Sequence, residues 1–479
     1  MKMMNRSNPL RALTAAVLVA VAGGCDDGLT DLNRNPNAPE DATAEQLFAN
    51  GVEASVSRVF GAGLHMDLTA LWAQHYAEHL YTAEDRYELG DGTVSAHWSG
   101  FYTGPQMDFA LVIEKGEAEG RPNVAAVASI MQQWTYHIMT DLWGDIGYSE
   151  ALQGRDPDAG NQPKLDPQSQ VYDGILSTLA AAAESLDPAA EMMDDADLIY
   201  GGDVERWRRF ANSLRLRVAM RLSEVDEAKA SAEFADALGD GVFESNDDNA
   251  VLTYEEDLPN VHPIYEYQID RDDHTISATI VDTLKSLNDP RLPIYATPNE
   301  SGEYVGEPNG TNADPELGAI SRIGTYFTKP DASAVLMSYA EVLFLQAEAA
   351  ERGWIAGDPA ALYTAAITAA MQDLGIEQAD IDAYLARPAV VYAGGDAGLA
   401  QIALQKWIAL FGNGPEAWAE WRRTGVPALV AGPDALNGGR IPVRLPYPQS
   451  ERFRNGDNLQ EAIDRQGGAS LNDPLWWDR

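Results

Sequence analysis

Cysteine is almost missing from this chain: Cys25 is the one cysteine in 479 residues. No disulfide can form within the chain, so its stability must come from packing. Basic side chains are scarce as well, 33 Lys and Arg against 74 Asp and Glu, for a formal net charge of −41. Such a balance excludes a nucleic-acid binder, whose affinity comes from neutralising phosphates. It also excludes adsorption to anionic lipid head groups through basic patches. No G-x-S-x-G elbow, P-loop or dinucleotide fingerprint is present. A hydrophobic run long enough to cross a bilayer, about 20 residues, is lacking too.

The longest apolar run is short and lies at the N-terminus. Lys2, Arg6 and Arg11 form a basic start, Ala12–Ala22 is almost wholly apolar, and Ala22-Gly23-Gly24 precede Cys25. This is the layout of a signal peptide over residues 1–24, ending at a thiol placed to carry a lipid. Several acyl chains on one residue hold a protein stably where one gives marginal binding. Residues 25–41, rich in Asp, Asn and Pro, read as a flexible tether. Asp31, Asn33 and Asn35 imitate the start of a calcium loop, but Pro36 stands where glycine is needed and Ala42 where glutamate is needed.

Residues 42–479 form the body. Apolar residues at helical spacing predict helices over 44–60, 64–80, 95–116, 123–142, 168–186, 204–222, 332–352, 358–374, 396–412 and 415–424. Several neighbours pair as helix–turn–helix units of roughly 35–40 residues, a spacing close to that of tetratricopeptide repeats. In 204–222 six arginines, Arg206, Arg208, Arg209, Arg215, Arg217 and Arg221, surround an apolar stripe. In so acidic a chain they predict internal ion pairs. Residues 242–334 turn rich in Pro, Gly, Asn and Asp, with one helix near 275–288. Long loops of this kind carry function more often than structure.

One enzymatic pattern is present. His75-Tyr76-Ala77-Glu78-His79 is an H-x-x-E-H, which on a helix puts two imidazoles on one face at metal-binding spacing. Without its structural context the motif is weak, and the expectation is two helix histidines, no metal and no cofactor.

Longer blocks carry a family resemblance. Asp141-Leu142-Trp143-Gly144-Asp145-Ile146-Gly147-Tyr148-Ser149-Glu150-Ala151-Leu152 resembles a segment of SusD/RagB-type outer-membrane lipoproteins, with Gly147 where the family usually has proline. Trp207-Arg208-Arg209-Phe210, Asp289-Pro290-Arg291-Leu292, Tyr339-Ala340-Glu341-Val342, Gln405-Lys406-Trp407 and Trp418-Ala419-Glu420-Trp421-Arg422-Arg423 follow in order. The resemblance implies an all-α body of tetratricopeptide-like helix pairs with long irregular ligand-binding loops. It implies a protein that binds a nutrient oligomer, glycan or peptide, without catalysis and delivers it to a SusC-type TonB-dependent barrel. It implies lipid anchoring in the outer membrane, facing outward. A lipid-anchored metallopeptidase or glycosidase and a tetratricopeptide-type adaptor are the alternatives.

Sugar rings stack on aromatic faces. The candidate ligand residues are therefore Trp72, Tyr81 and Tyr87 after the second helix, and Tyr254, His262, Tyr265, Tyr267 and Tyr326 in the later loops. Tyr295 and Tyr304 are further aromatics of the same stretch. Replacing the anchor tests the first of these expectations. Cys25→Ser should yield a folded, released protein that still binds ligand but no longer supports uptake, and uptake that persists would refute the anchoring role.

Overall fold

The computed structural model describes residues 42–156, 160–313 and 315–478. Cys25 and the residues read as a signal peptide and tether lie outside the described residues. Among the described residues no helix is long and apolar enough to cross a membrane.

The body is helical. Helix α1 (Ala44–Phe60) buries Phe48, Val52, Val56 and Val59, one stripe at helical spacing. Helices α2 (Asp91–Phe101), α3 (Met107–Glu119), α4 (Pro122–Trp143) and α5 (Gln168–Ser185) follow, and then α6 (Val204–Arg221) and α7 (Glu227–Gly239). After the loop-rich stretch come α8 (Pro263–Asp270), α9 (Ala278–Leu287), α10 (Tyr339–Glu351), α11 (Pro359–Asp373), α12 (Gln378–Leu385), α13 (Gly395–Ala409) and α14 (Gly414–Thr424). The tail adds α15 (Gln449–Arg454) and α16 (Gly456–Gln466). The pairs α3/α4, α6/α7, α10/α11 and α13/α14 pack side by side, as the helix-pair reading expects.

Local chemistry starts several of these helices. Asp203 accepts from the backbone N–H groups of Glu205 and Arg206 at the start of α6. Ser338 does the same for Glu341 in α10, and Ser277 for Thr279 in α9. Three antiparallel strand pairs fill the loop side: β1 (Tyr76–Glu78) with β3 (His274–Ile276), β2 (Ala250–Thr253) with β6 (Ser333–Met337), and β4 (Ala296–Thr297) with β5 (Arg322–Ile323).

Two expected helices are corrected by these pairings. The helix expected over 64–80 is instead a π-helical segment, Ala62–Thr69, one further turn, Ala70–Trp72, and then β1. Gln74 takes a left-handed φ of 54°. Its amide holds that bend by donating to Val430 O at 2.7 Å and accepting from Thr279 Oγ1 at 2.7 Å. The helix expected from 332 starts only at Tyr339, because Ser333–Met337 pairs with β2. Helices α7, α8, α12, α15 and α16 were not expected. In α16 the polar residues outnumber the apolar ones, and only Leu459, Ala462 and Gln466 are buried.

The expected ion pairs are the central feature of the core. Arg217 binds Glu341 through two parallel bonds of 2.7 and 2.6 Å. Arg221 donates to Glu420 at 2.6 Å, Glu416 at 2.5 Å and Asp141 at 3.2 Å. Arg423 forks between Glu348, at 2.7 and 2.6 Å, and Glu420, at 3.0 and 2.9 Å. Lys406 lies 3.2 Å from Glu420. Arg422 stacks 3.6 Å above the Trp418 ring and donates to the carbonyl of Asp141. All of these side chains are buried. They join α4, α6, α10, α13 and α14.

Burial opposes the charge on Glu416, but Arg221, Arg217 and Lys406 outweigh it and bring its pKa down to about 2. Glu420 is likewise held well below the usual range, by Arg423, Lys406 and Arg221 against its burial. The unfolded chain takes up these protons near pH 4.5, so the network's contribution is complete above about pH 4.5 and is lost as the pH falls through about 2. Arg221→Met should leave three buried carboxylates without a shared cation and lower stability by about 3–5 kcal/mol, read as a lower urea midpoint at pH 7. A loss below about 1 kcal/mol would show that the network does not hold the helices.

Candidate functional site

The candidate aromatics fall into three environments. Trp72 and Tyr87 are core residues, and the structure corrects their reading as ligand contacts. Trp72 is fully buried, packs edge-on against Trp418 at 5.0 Å, and points its indole N–H at Glu84 O. Tyr87 is 2% exposed. Trp72 fills the contact with α14 through Trp418, where large rings bury the most surface.

Tyr81 and Tyr267, 186 positions apart in sequence, are brought together at the surface. Tyr81 is 74% exposed and holds a left-handed φ of 55°. That conformation costs a bulky residue on the order of 1–3 kcal/mol and is concentrated at functional sites. The guanidinium of Arg271 lies 5.0 Å from the Tyr81 ring and 5.4 Å from the Tyr267 ring. Asp273 fixes this arrangement, accepting from Tyr267 Oη at 3.0 Å and from Arg271 Nε at 2.5 Å. Arg271 itself was missed in the sequence, although it follows Tyr267 by four positions at the end of α8, where the two can share a face. The result is an aromatic surface with a fixed cation, a surface that can stack a sugar ring and donate to its hydroxyls.

His262 and Tyr326 line a separate open cleft of about 890 Å³, together with Tyr295, Phe327, Asp373 and Asn413. His262 is buried, and its Nδ1 accepts from the Ile264 N–H at 3.2 Å to cap α8. Burial pushes its pKa down to about 4. Tyr254 packs edge-on against it at 5.1 Å and meets Ser57 with its hydroxyl. Tyr295 stacks on Phe411 at 4.3 Å and is nearly closed off from solvent. Tyr265 and Tyr304 are half-buried. The cleft therefore offers only Tyr326 as an exposed ring.

The H-x-x-E-H residues do not converge on a metal. They lie at the bend and in β1 rather than on a helix, so the side chains alternate. His75 packs against Trp407 at 4.7 Å and Phe411 at 5.4 Å, and burial pushes its pKa down to about 3. His79 Nε2 meets the carbonyl of Asp272. Glu78 faces His274 across the β1–β3 pair. The geometry of a zinc peptidase is not formed by this motif.

The profile of the SusD-like family, described as starch-binding and associating with the outer membrane, matches residues 36–448. The chain belongs to the SusD-like family. Its body has the helical fold of that family, whose members are binding proteins associated with the outer membrane. Solved SusD-like structures superpose over nearly their whole length. A protein described as chitin-binding is 30% identical, with a TM-score of 0.81 over 90% of this chain and 99% of that one. A chitin-binding SusD homologue from Flavobacterium johnsoniae is 26% identical, with a TM-score of 0.79 over 90% and 98%. A SusD-like protein labelled Bacteroidetes AC2a is 27% identical, with a TM-score of 0.78 over 91% and 100%. No curated protein matches.

Core and surface aromatics should separate on substitution. Trp72→Ala should lower stability by about 3–5 kcal/mol. Tyr81→Ala, which removes an exposed side chain and keeps the left-handed φ, should leave the melting temperature nearly unchanged. Equal losses in thermal melts of the two variants would contradict the placement.

Proposed function

We propose that this SusD-like chain captures an oligosaccharide at the cell surface, on the platform made by Tyr81, Tyr267 and Arg271, and passes it to a SusC-type TonB-dependent barrel. The observation that carries this reading is the exposed Tyr81 ring, held at a strained backbone position beside a guanidinium that contacts both tyrosines. A sugar presents an apolar C–H face to a ring and hydroxyls to a cation, and the platform supplies both partners within one sugar's reach. The chitin-binding relatives favour an amino-sugar polymer as the first ligand to try. The cleft beside Tyr326 is the second region for such contacts.

The same reading makes Cys25 the lipid attachment and the outer face of the membrane the location. Asp26 and Asp27, directly after Cys25, resemble the acidic export tag of surface lipoproteins. Residues 25–41 serve in this reading as the link between the lipid and the body. No step of bond cleavage is assigned to it.

Calorimetry with soluble chitooligosaccharides, starch oligomers and peptides tests the ligand. Tyr81→Ala should weaken binding of the active oligosaccharide by about tenfold. Binding only to peptides, or glycan binding that Tyr81→Ala and Tyr267→Ala leave intact, would overturn the assignment. Purification from membranes in mild detergent should bring down a large β-barrel, and repeated failure to do so would count against delivery.

A further inference from the structure

Beneath the platform lies a cluster that the sequence motif only half indicates. Glu78 of β1 and His274 of β3 are cross-strand partners, and Asp67 comes from the π-helical segment. His274 Nε2 lies 3.1 Å from Asp67 Oδ1 and 3.5 Å from Glu78 Oε1. One ligand atom from each of the three residues falls within 4.8 Å of the others. Three separate segments thus aim one nitrogen and two oxygens at a common point.

The contacts are of ion-pair length, but their alignment is incomplete. The His274 ring is buried, yet neither of its nitrogens completes a hydrogen bond of proper alignment. Its Nε2 is close to two carboxylates and directed squarely at neither, which is unusual for a buried imidazole. The charges also do not balance. Asp85, fully buried, exchanges backbone-to-carboxylate contacts of 3.4 and 3.1 Å with Glu78, so a third carboxylate lies next to Glu78, itself held by Asn309 Nδ2 and the Gly310 N–H. Arg271, at the platform above, is already committed to Asp273. Like charges at such range repel unless a cation joins them.

We infer that Asp67, Glu78 and His274 form a binding site for one divalent transition-metal ion of the zinc class. Zinc bound at about 2.0–2.2 Å by N and O ligands puts tetrahedral ligand atoms about 3.4 Å apart. The two measured separations bracket that edge. A mixed imidazole and carboxylate set suits zinc and its neighbours, whereas calcium and magnesium prefer oxygen alone. Asp67 is the solvent-side ligand, with its side chain 29% exposed, and gives the ion a path in. The fourth position falls to water or to a second carboxylate oxygen. The role is structural: the ion clamps the β1–β3 pair to the π-helical segment. The Tyr267 ring rests edge-on against His274 at 5.7 Å, so the clamp also braces that ring. The site does not depend on the ligand assignment above.

The test uses the tag-free mature chain, stripped with EDTA. Titration with Zn2+ should show one equivalent bound and a raised melting temperature, while Ca2+ and Mg2+ raise neither. Asp67→Asn, at a partly exposed position, should fold and weaken Zn2+ binding by more than about tenfold, the effect that even an outer-shell partner carries. His274→Gln should abolish binding, and Cys25→Ser should leave it intact. Failure of wild type to bind a stoichiometric ion, a response to Ca2+ alone, or Zn2+ binding unaffected by Asp67→Asn would each overturn the site. Glycan binding that persists in the stripped protein would leave the platform standing while the metal is decided by the titration.

Discussion

Five cations and five carboxylates buried together set the frame of this molecule: Arg217, Arg221, Lys406, Arg422 and Arg423 against Asp141, Glu341, Glu348, Glu416 and Glu420. Removing so many charges from water is expensive, and only close geometry repays it. Here the geometry is close, because Arg217 and Arg423 form parallel double bonds and Arg221 reaches three acids on two helices. Apolar packing would allow these helices to slide past one another, but forked charge pairs do not. The network therefore acts chiefly on register, fixing which faces of α4, α6, α10, α13 and α14 meet.

The surface platform inherits its position from that frame. Helix α14, held by Glu416, Glu420, Arg422 and Arg423, receives the π-helical segment on its outer side. The Gly414 N–H donates to His65 Nδ1 at 3.0 Å, and Trp418 packs against Trp72. Trp407 of α13 donates to Ala73 O at 3.0 Å. Three residues after Ala73 the chain enters β1, and then the loop that presents Tyr81. A rigid ionic core thus carries an exposed ring through two tryptophans. This explains why Trp72 looked like a ligand residue in sequence: it is a large aromatic beside the site, and its work is to hold the strand that leads there.

The parts legible in the sequence were those governed by short-range chemistry. Leu47, Val52, Val56 and Val59 at helical spacing predict α1, in which Phe48 rather than Leu47 is fully buried, and the arginines of α6 predict ion pairs because an acidic chain has carboxylates to meet them. What stayed hidden depended on distant partners. Residues 74–78 carry enough apolar character for a helix, but a bend at Gln74 and pairing with His274–Ile276 make them a strand. Helix α16 is mostly polar, and its narrow buried stripe of Leu459, Ala462 and Gln466 gave the sequence pattern little to show. The platform was half visible: Tyr81 and Tyr267 stood out as loop aromatics, but their meeting, and the Arg271 between them, follows from the β1–β3 register.

That same register explains why the H-x-x-E-H motif misleads. Its chemistry assumes a period of 3.6, which would gather His75 and His79 on one face. With a period of 2, His75 and His79 stand about 13 Å apart along the chain, and Glu78 points to the opposite face, which it shares with its cross-strand partner on β3. The residue opposite is His274, almost two hundred positions on, and the third member, Asp67, sits in a segment whose wider π turn shifts its side chain relative to an α-helix. The motif thus contributes one glutamate to a cluster built from other residues, and the pairing of two short strands decides which histidine that glutamate meets.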